Sequence, residues 1–345
     1  MAREFGVKSY KPEEISFVNN GRVGTDDSPW SKLQTKLAKN IILEAYDNAS
    51  SVEELSLELG VAAPYMEEAC DILVNAELMK RVGGKYETDF AILSRNLQEF
   101  NDKALAGVTG EIFSGVKKVI EIIAGEAQKS GVTPLGNVQT IDELKWLYLL
   151  NLADYLNVEA HKYLNLPNKE DPERPFGGKW SITGYEDYTN SVGGRMVGQH
   201  GYTVNNNTGV FVQAYVFNGY PNMPREWAFN RTMNNTGFTF PEEMVAKFAV
   251  KKPNTGIFAQ SVNDGVYASE IKPVFDNLVA SFTKTCESIA VEAKKEVPKQ
   301  FADRLGDYVN TWELRAYLLN AALADGYLKV PENFIASAVG CWVER

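Results

Sequence analysis

A glycine at position 60, set between two short runs of helical periodicity, and the pair Gly83-Gly84 downstream of it constrain this chain more than any other feature. Glycine enters the left-handed backbone region at least cost, so both places read as corners. Upstream of the first corner, Ser51 and Glu54 stand at capping-box spacing, which predicts a helix from about Val52. Val52, Leu55 and Leu59 fall on one face of it, and Gly60 ends it, with Val61 packing inward to tighten the turn. Pro64 suits the first turn of a second helix, where its missing amide proton is no loss. That helix carries a buried stripe of Met66, Cys70, Leu73 and Leu78, widened by Ala69 and Val74. Met79 to Val82 and Lys85 to Ser94 then flank Gly83-Gly84, a two-residue hairpin signal because the turn needs positive φ. On an unbulged return strand Tyr86, Phe90 and Ile92 share one face.

Helix, tight turn, helix and hairpin, in that order, make the winged form of the helix-turn-helix. Trp30 to Tyr46 supplies the preceding helix, with Leu33, Leu37, Ile41 and Ala45 on its inner side. In this fold the second helix of the motif enters the major groove. Here it carries Glu67, Glu68 and Asp71, and no basic residue before Lys80. Attraction to phosphate needs basic groups, and these lie elsewhere. Lys80, Arg81 and Lys85 sit on the hairpin, Lys32, Lys36 and Lys39 on the preceding helix, and Arg3, Lys8, Lys11 and Arg22 on the N-terminal arm. The expected DNA contacts are therefore Tyr65, at the start of the second helix, with Lys80, Arg81, Lys85, Lys36 and Lys39. The competing expectation is an acidic second helix that contacts a protein.

The chain has 345 residues, enough for two or three domains. We expect an arm over 1–29, a winged unit over 30–96, a helical connector over 97–166 and a larger α+β domain over 167–345. Ile15 to Val18 could add a strand within the arm. Asn96 to Lys129 reads as one long helix, or as two with a break near Gly107, Gly110 and Gly115, and repeats Ile112, Val116, Val119, Ile120 and Ile123. Such a helix either packs in a core or serves as a homodimer or connector helix. Thr140 and Glu143 form a second capping box, opening a helix with Leu144, Leu147, Tyr148, Leu152, Tyr155 and Leu156. From Lys179 the texture turns to strands, through segments such as REWAFNRT, AKFAVKK and TGIFAQSVNDGVYASEI, which predicts an antiparallel or mixed sheet. Pro273 to Val297 is a helix with Phe275, Leu278, Val279, Phe282, Cys286 and Ile289 inside. The fold class is thus α+β.

A net charge of −10 confines any nucleic-acid contact to a local patch. No apolar run approaches the roughly 20 residues that span a bilayer, so no membrane partner is expected. Three scattered cysteines, Cys70, Cys286 and Cys341, make no disulfide framework and suit a reducing cytoplasm. Residues 196–224 contain no Asp, Glu, Lys or Arg and are rich in Asn, Gly, Tyr and Phe. Apolar walls with a few amides could hold a small-molecule effector. Trp180, Tyr185, His200, Tyr202, Tyr215 and Trp227 are the expected ligand-binding set, with Tyr188 and Tyr220 nearby; ordinary core packing of the same rings is the plainer reading. His161 lies on a helix and reads as a surface or packing residue. Two histidines without neighbouring cysteines give no metal site. Nucleophile-elbow, phosphate-loop and dinucleotide-binding patterns are all missing, and Glu186-Asp187 reads as solvated turn charge, so neither enzyme activity nor a cofactor is expected.

The run from Lys39-Asn40-Ile41-Ile42-Leu43 through SVEELSLELGVAAPYMEE to GGKYETDFAILS resembles the winged helix-turn-helix of clostridial regulatory proteins, some of which carry a sigma-factor-type region ahead of it. DGVYASEIKPVF resembles their C-terminal part. The resemblance implies a cytoplasmic, sigma-factor-like transcriptional regulator. Its winged unit would contact double-stranded DNA or an RNA polymerase-associated protein, and its C-terminal domain would sense a ligand or mediate assembly. The segment ahead of Trp30 holds no promoter-binding sigma pattern, and the resemblance implies no catalytic residues.

Overall fold

A computed structural model describes residues 15–22, 29–129, 141–164, 166, 174, 178–189, 191, 197–203, 209–215, 249–250, 264–329 and 343–344. Helices dominate and the sheets are small, a mixed α and β architecture. The chain divides into two compact units, each discontinuous in sequence. One draws on Met1–Phe100, Leu166–Tyr188 and Ala290–Val309, the other on Asn101–Asn165, Thr189–Ile289 and Asn310–Arg345.

The first unit starts with β1 (Ile15–Arg22), α1 (Pro29–Lys32) and α2 (Lys36–Glu44). The single helix expected over Trp30 to Tyr46 is therefore two, because Thr35 takes an extended backbone and its hydroxyl caps a new start, accepting from the Ala38 amide at 3.1 Å. Next comes α3 (Val52–Leu59), opened by the complete Ser51/Glu54 capping box and closed by Gly60 at φ +67°. In α4 (Ala63–Asn75), Met66, Cys70 and Leu73 point inward. β2 (Met79–Val82) and β3 (Lys85–Thr88) form the hairpin, with Gly83 and Gly84 at φ +58° and +82°. Ser50, between α2 and α3, bridges Tyr86 of β3 through two 2.8 Å backbone bonds, which lays the hairpin beside the helices.

The return strand ends at Thr88 instead of running to Ser94. The next strand, β4 (Ala91–Leu93), leaves the hairpin to pair in parallel with β5 (Lys179–Glu186). Ala91, Ile92 and Leu93 are all buried, and three consecutive buried residues need a strand covered on both faces. β1 flanks β5 on its other side, antiparallel, from Ile15 opposite Glu186 to Arg22 opposite Lys179. At the centre, Gly184 admits its neighbours closely: a Cβ there would meet Ile92 Cγ1 at 3.1 Å and Ile15 Cδ1 at 3.3 Å. The strand WSITGYE thus belongs to the same sheet as the N-terminal arm, whereas sequence texture places it at the head of a separate C-terminal domain. Ile15, Phe17, Ile41, Ile42, Leu55, Met66, Leu73, Tyr86, Phe90, Ile92 and Trp180 share one core.

In the second unit α5 (Arg95–Lys129) supplies Ile112, Val116, Val119, Ile120 and Ile123, all fully buried. It runs without a break through its glycines. Gly115 has a packing reason, since a Cβ there would collide with the Leu278 side chain. Among the helices that follow are α6 (Ile141–Leu164), α7 (Lys272–Glu296) and α8 (Leu314–Ala324). The six apolar residues expected inside α7 are buried. DGVYASEI, grouped with the strands by texture, is a helical lead ending in a π turn over Tyr267–Ile271. Val266 and Tyr267 are half-buried, the next three residues are exposed and Ile271 is buried, which is helical spacing and not alternation. Described strands of this unit form two ladders, β6 (Val197–Thr203) with β7 (Gly209–Tyr215), antiparallel, and β8 (Ala249–Val250) with β9 (Val343–Glu344), parallel. Thr140 and the segment REWAFNRT lie outside the described residues. No helix among the described residues is long and apolar enough to cross a membrane.

Candidate functional site

The corner α3–Gly60–α4 and the hairpin that follows carry several large exposed side chains. Tyr65 (69% exposed), Glu67, Glu68 and Ile72 face solvent from α4, Leu57 (66% exposed) from α3 and Val82 from β2. The inner side of α4 is core, and burial pushes the Cys70 thiol up to about 12, so this cysteine fills space and stays protonated. Asp71 couples helix to hairpin. The Tyr86 hydroxyl donates to its Oδ1 at 2.8 Å, and Arg81 pairs with the same oxygen; together they hold the carboxyl below its usual range.

Each of the three hairpin cations expected to meet phosphate faces a carboxylate. Lys80 Nζ lies 3.0 Å from Glu87 and 3.1 Å from Asp89. Partial burial would lower its pKa, but the two carboxylates outweigh it and raise the value. Arg81 pairs with Asp71, and Lys85 Nζ sits 2.9 Å from Glu54, whose carboxyl is lowered by the Ser51 amide first and by Lys85 second. Lys36 is exposed in the first turn of α2. Lys39 is half-buried and stands over the Phe17 ring, 5.9 Å from its centroid, at the edge of a cleft. Arg3, Lys8 and Lys11 lie outside the described residues.

The expected ligand set is drawn from both units. Trp180 is a core residue of β5: the Arg174 guanidinium stacks 3.8 Å from its ring centroid, donates twice to its carbonyl and pairs with Glu77 at 2.5 Å. Tyr185 packs against a second small core of Ala91, Leu93, Leu97 and Phe301. His200, Tyr202 and Tyr215 fall in the β6–β7 ladder, where His200 pairs with Val212, Tyr202 with Val210 and Tyr215 with Val197. Trp227 and Tyr220 lie outside the described residues. Tyr188 does reach a cleft, in the first unit, in company that the sequence does not suggest.

The second unit holds a polar cluster on one face of α6. His161 Nε2 lies 2.7 Å from Thr311 Oγ1, and Thr311 donates to Asn157 Oδ1. With that hydroxyl proton committed, the imidazole Nε2 carries a hydrogen and donates. Burial lowers the His161 pKa, which favours this neutral form. Farther along the same face Arg315 Nε stands 3.2 Å from Asp154 Oδ1, within ion-pair distance but not aligned as a hydrogen bond. Burial pushes Asp154 up to about 6, with Arg315 acting the other way. Asn157 Nδ2 has no hydrogen-bond partner. No group of His, Cys, Asp and Glu among the described residues is arranged to hold a metal ion. Comparison with protein families, with curated proteins and with solved structures gives no match to this chain.

Proposed function

We propose that the chain is a transcriptional regulator whose residues 30–94 form a winged helix-turn-helix head, and that this head binds duplex DNA through the wing β2–β3 and helix α2. The observation that carries the reading is the ordered set of elements: capped α3, left-handed Gly60, α4, and a tight Gly-Gly hairpin bridged back to Ser50. The carboxylates paired with Lys80, Arg81 and Lys85 do not close this route. The Arg81 and Lys85 pairs are largely exposed, exposed pairs contribute little, and a phosphate can replace the carboxylate as the anion there, whereas Lys80 is half-buried against Glu87 and is the least available of the three. In this mode the acidic outer face of α4 would turn away from the phosphates, and the exposed Tyr65 at its start would be the group offered to a base edge. The second unit serves sensing or assembly. Filter binding of the full chain to duplex DNA over a salt series tests this. Affinity should fall steeply with salt, and replacing Lys80, Arg81 and Lys85 together by Ala should lower the slope by about one for each phosphate that is no longer neutralised. No binding at low salt, or an unchanged slope in the triple variant, overturns the proposal.

A second reading, a protein-interaction head without DNA binding, is favoured by Leu57, Tyr65, Ile72 and Val82 standing exposed beside Glu67 and Glu68. Reversing the charge of Glu67 and Glu68 should then lower recovery of an RNA polymerase-associated partner in a pull-down. Unchanged recovery counts against it.

A further inference from the structure

An open cleft of about 380 Å³ lies within the first unit, lined by residues of β1, of the α1–α2 segment and of the stretch just after β5. Its apolar lining is Ile15, Phe17 and Leu33. Two opposite charges border it. Lys39 reaches it from α2, its ammonium held over the face of Phe17, and Asp187 reaches it from the residue after β5. Among the described residues no ion pair joins Lys39 to Asp187, although both line the same space. The volume falls at the small end of small-molecule sites, which run from roughly 300 to 1,000 Å³.

The charges decide which class of ligand fits. An anion would be attracted by Lys39 and opposed by Asp187, and a cation the reverse. A neutral apolar molecule would strip water from both charges and return nothing. A molecule bearing both signs satisfies both, and a substituent would rest on the small apolar floor that Ile15, Phe17 and Leu33 leave at the surface, with Tyr188 alongside. We propose that this cleft binds a free α-amino acid with an apolar side chain, its carboxylate toward Lys39 and its ammonium toward Asp187. Because the cleft is open, water screens both pairs, and the expected dissociation constant is modest, on the order of 0.1–1 mM. The ligand would bridge α2, a helix of the proposed head, to the end of β5. Lys39 is also one of the expected DNA contacts, so the site shares one residue with the proposed DNA surface.

The test is a thermal-shift and calorimetric titration of the full chain with each of the common amino acids, and with N-acetyl-L-leucine and L-leucinamide as probes lacking one charge. L-Leucine or another apolar amino acid should raise Tm, while each blocked analogue should bind at least about tenfold more weakly. Lys39→Met and Asp187→Asn, each checked for an unchanged melting transition without ligand, should weaken binding by about tenfold as well. Equal binding of the blocked analogues, undiminished binding by both variants, or no shift with any amino acid overturns the proposal. DNA affinity measured without amino acid reports on the head separately, so the failure of one reading is distinguishable from the failure of the other.

Discussion

The two units handle buried polar groups differently. In the first, the Tyr46 hydroxyl is saturated: it donates to the Ile92 carbonyl at 3.0 Å and accepts from the Ile92 amide at 2.9 Å and from Tyr308 at 2.6 Å. Thr88, fully buried, donates to the Ile42 carbonyl at 2.7 Å while its amide bonds to Ala45. In the second, Asn101 Oδ1, Asp154 Oδ1 and Asn157 Nδ2 are buried without a hydrogen bond, Asp154 keeping only the ion-pair approach of Arg315, while Asp102 next to Asn101 takes bonds from Ser191 and Tyr317; in the first, Ser56 Oγ is also buried without a hydrogen bond. Saturated groups fix one arrangement of a core; unsatisfied ones cost free energy and leave room for rearrangement or for an added proton. The Tyr46 and Thr88 bonds thus fix the packing around Ile92 and Ile42 in the first unit. The second keeps groups that respond to conditions.

The largest expected effect comes from breaking the packed side of this contrast. Ile41 is fully buried in the first unit, and Ile41→Ala should lower stability by about 2–5 kcal/mol in urea unfolding. A loss under about 1 kcal/mol would show that this core collapses around the gap. Next is the pH response of the second unit. The folded pKa of Asp154, about 6, lies above its unfolded value of about 4, so the native state holds a proton that the unfolded chain has lost. Stability should fall as pH rises from about 4 to about 6 and level off above, by on the order of 3 kcal/mol in all. Asp154→Asn should flatten that fall. His161 acts oppositely: its depressed pKa makes stability fall as pH drops below about 6.5, so the variant should unmask a plain loss toward acid. Identical pH profiles for the two proteins would remove Asp154 as the responding group. Smallest is Tyr46→Phe, which deletes one oxygen and leaves the Ile92 amide without that partner; it should cost about 1–3 kcal/mol. Its signature is faster hydrogen exchange at Ile92, and unchanged protection there would mean that another acceptor takes over.

Local features of the first unit are legible in the sequence because their physics is local. The Ser51/Glu54 box, the Gly60 corner and the Gly-Gly turn depend on a few neighbouring residues, and each takes the backbone conformation that its residues demand. The break at Thr35 carries a signal too, a capping residue inside a helical pattern, which the longer apolar stripe masks. Part of the hairpin electrostatics also follows from the turn, because a two-residue loop fixes Lys80 opposite Glu87. Arg81 with Asp71 and Lys85 with Glu54 do not follow from the turn, since they join the hairpin to separate helices. Nor do the cleft, with Lys39 and Asp187 far apart in sequence, or the place of β5, whose partners are set by tertiary pairing alone.

That pairing bears on how the chain is made. The middle strand, β5, emerges from the ribosome after both of its neighbours, β1 and β4. Until it arrives, Phe17, Phe90 and Ile92 lack the strand that separates and covers them, so the nascent chain carries sticky surface through a long stretch of translation. A fragment cut at residue 100 would be caught permanently at that stage. Its expected behaviour is aggregation or chaperone retention, and a soluble excised fragment would call for grafting residues 179–186 back in as a tethered strand.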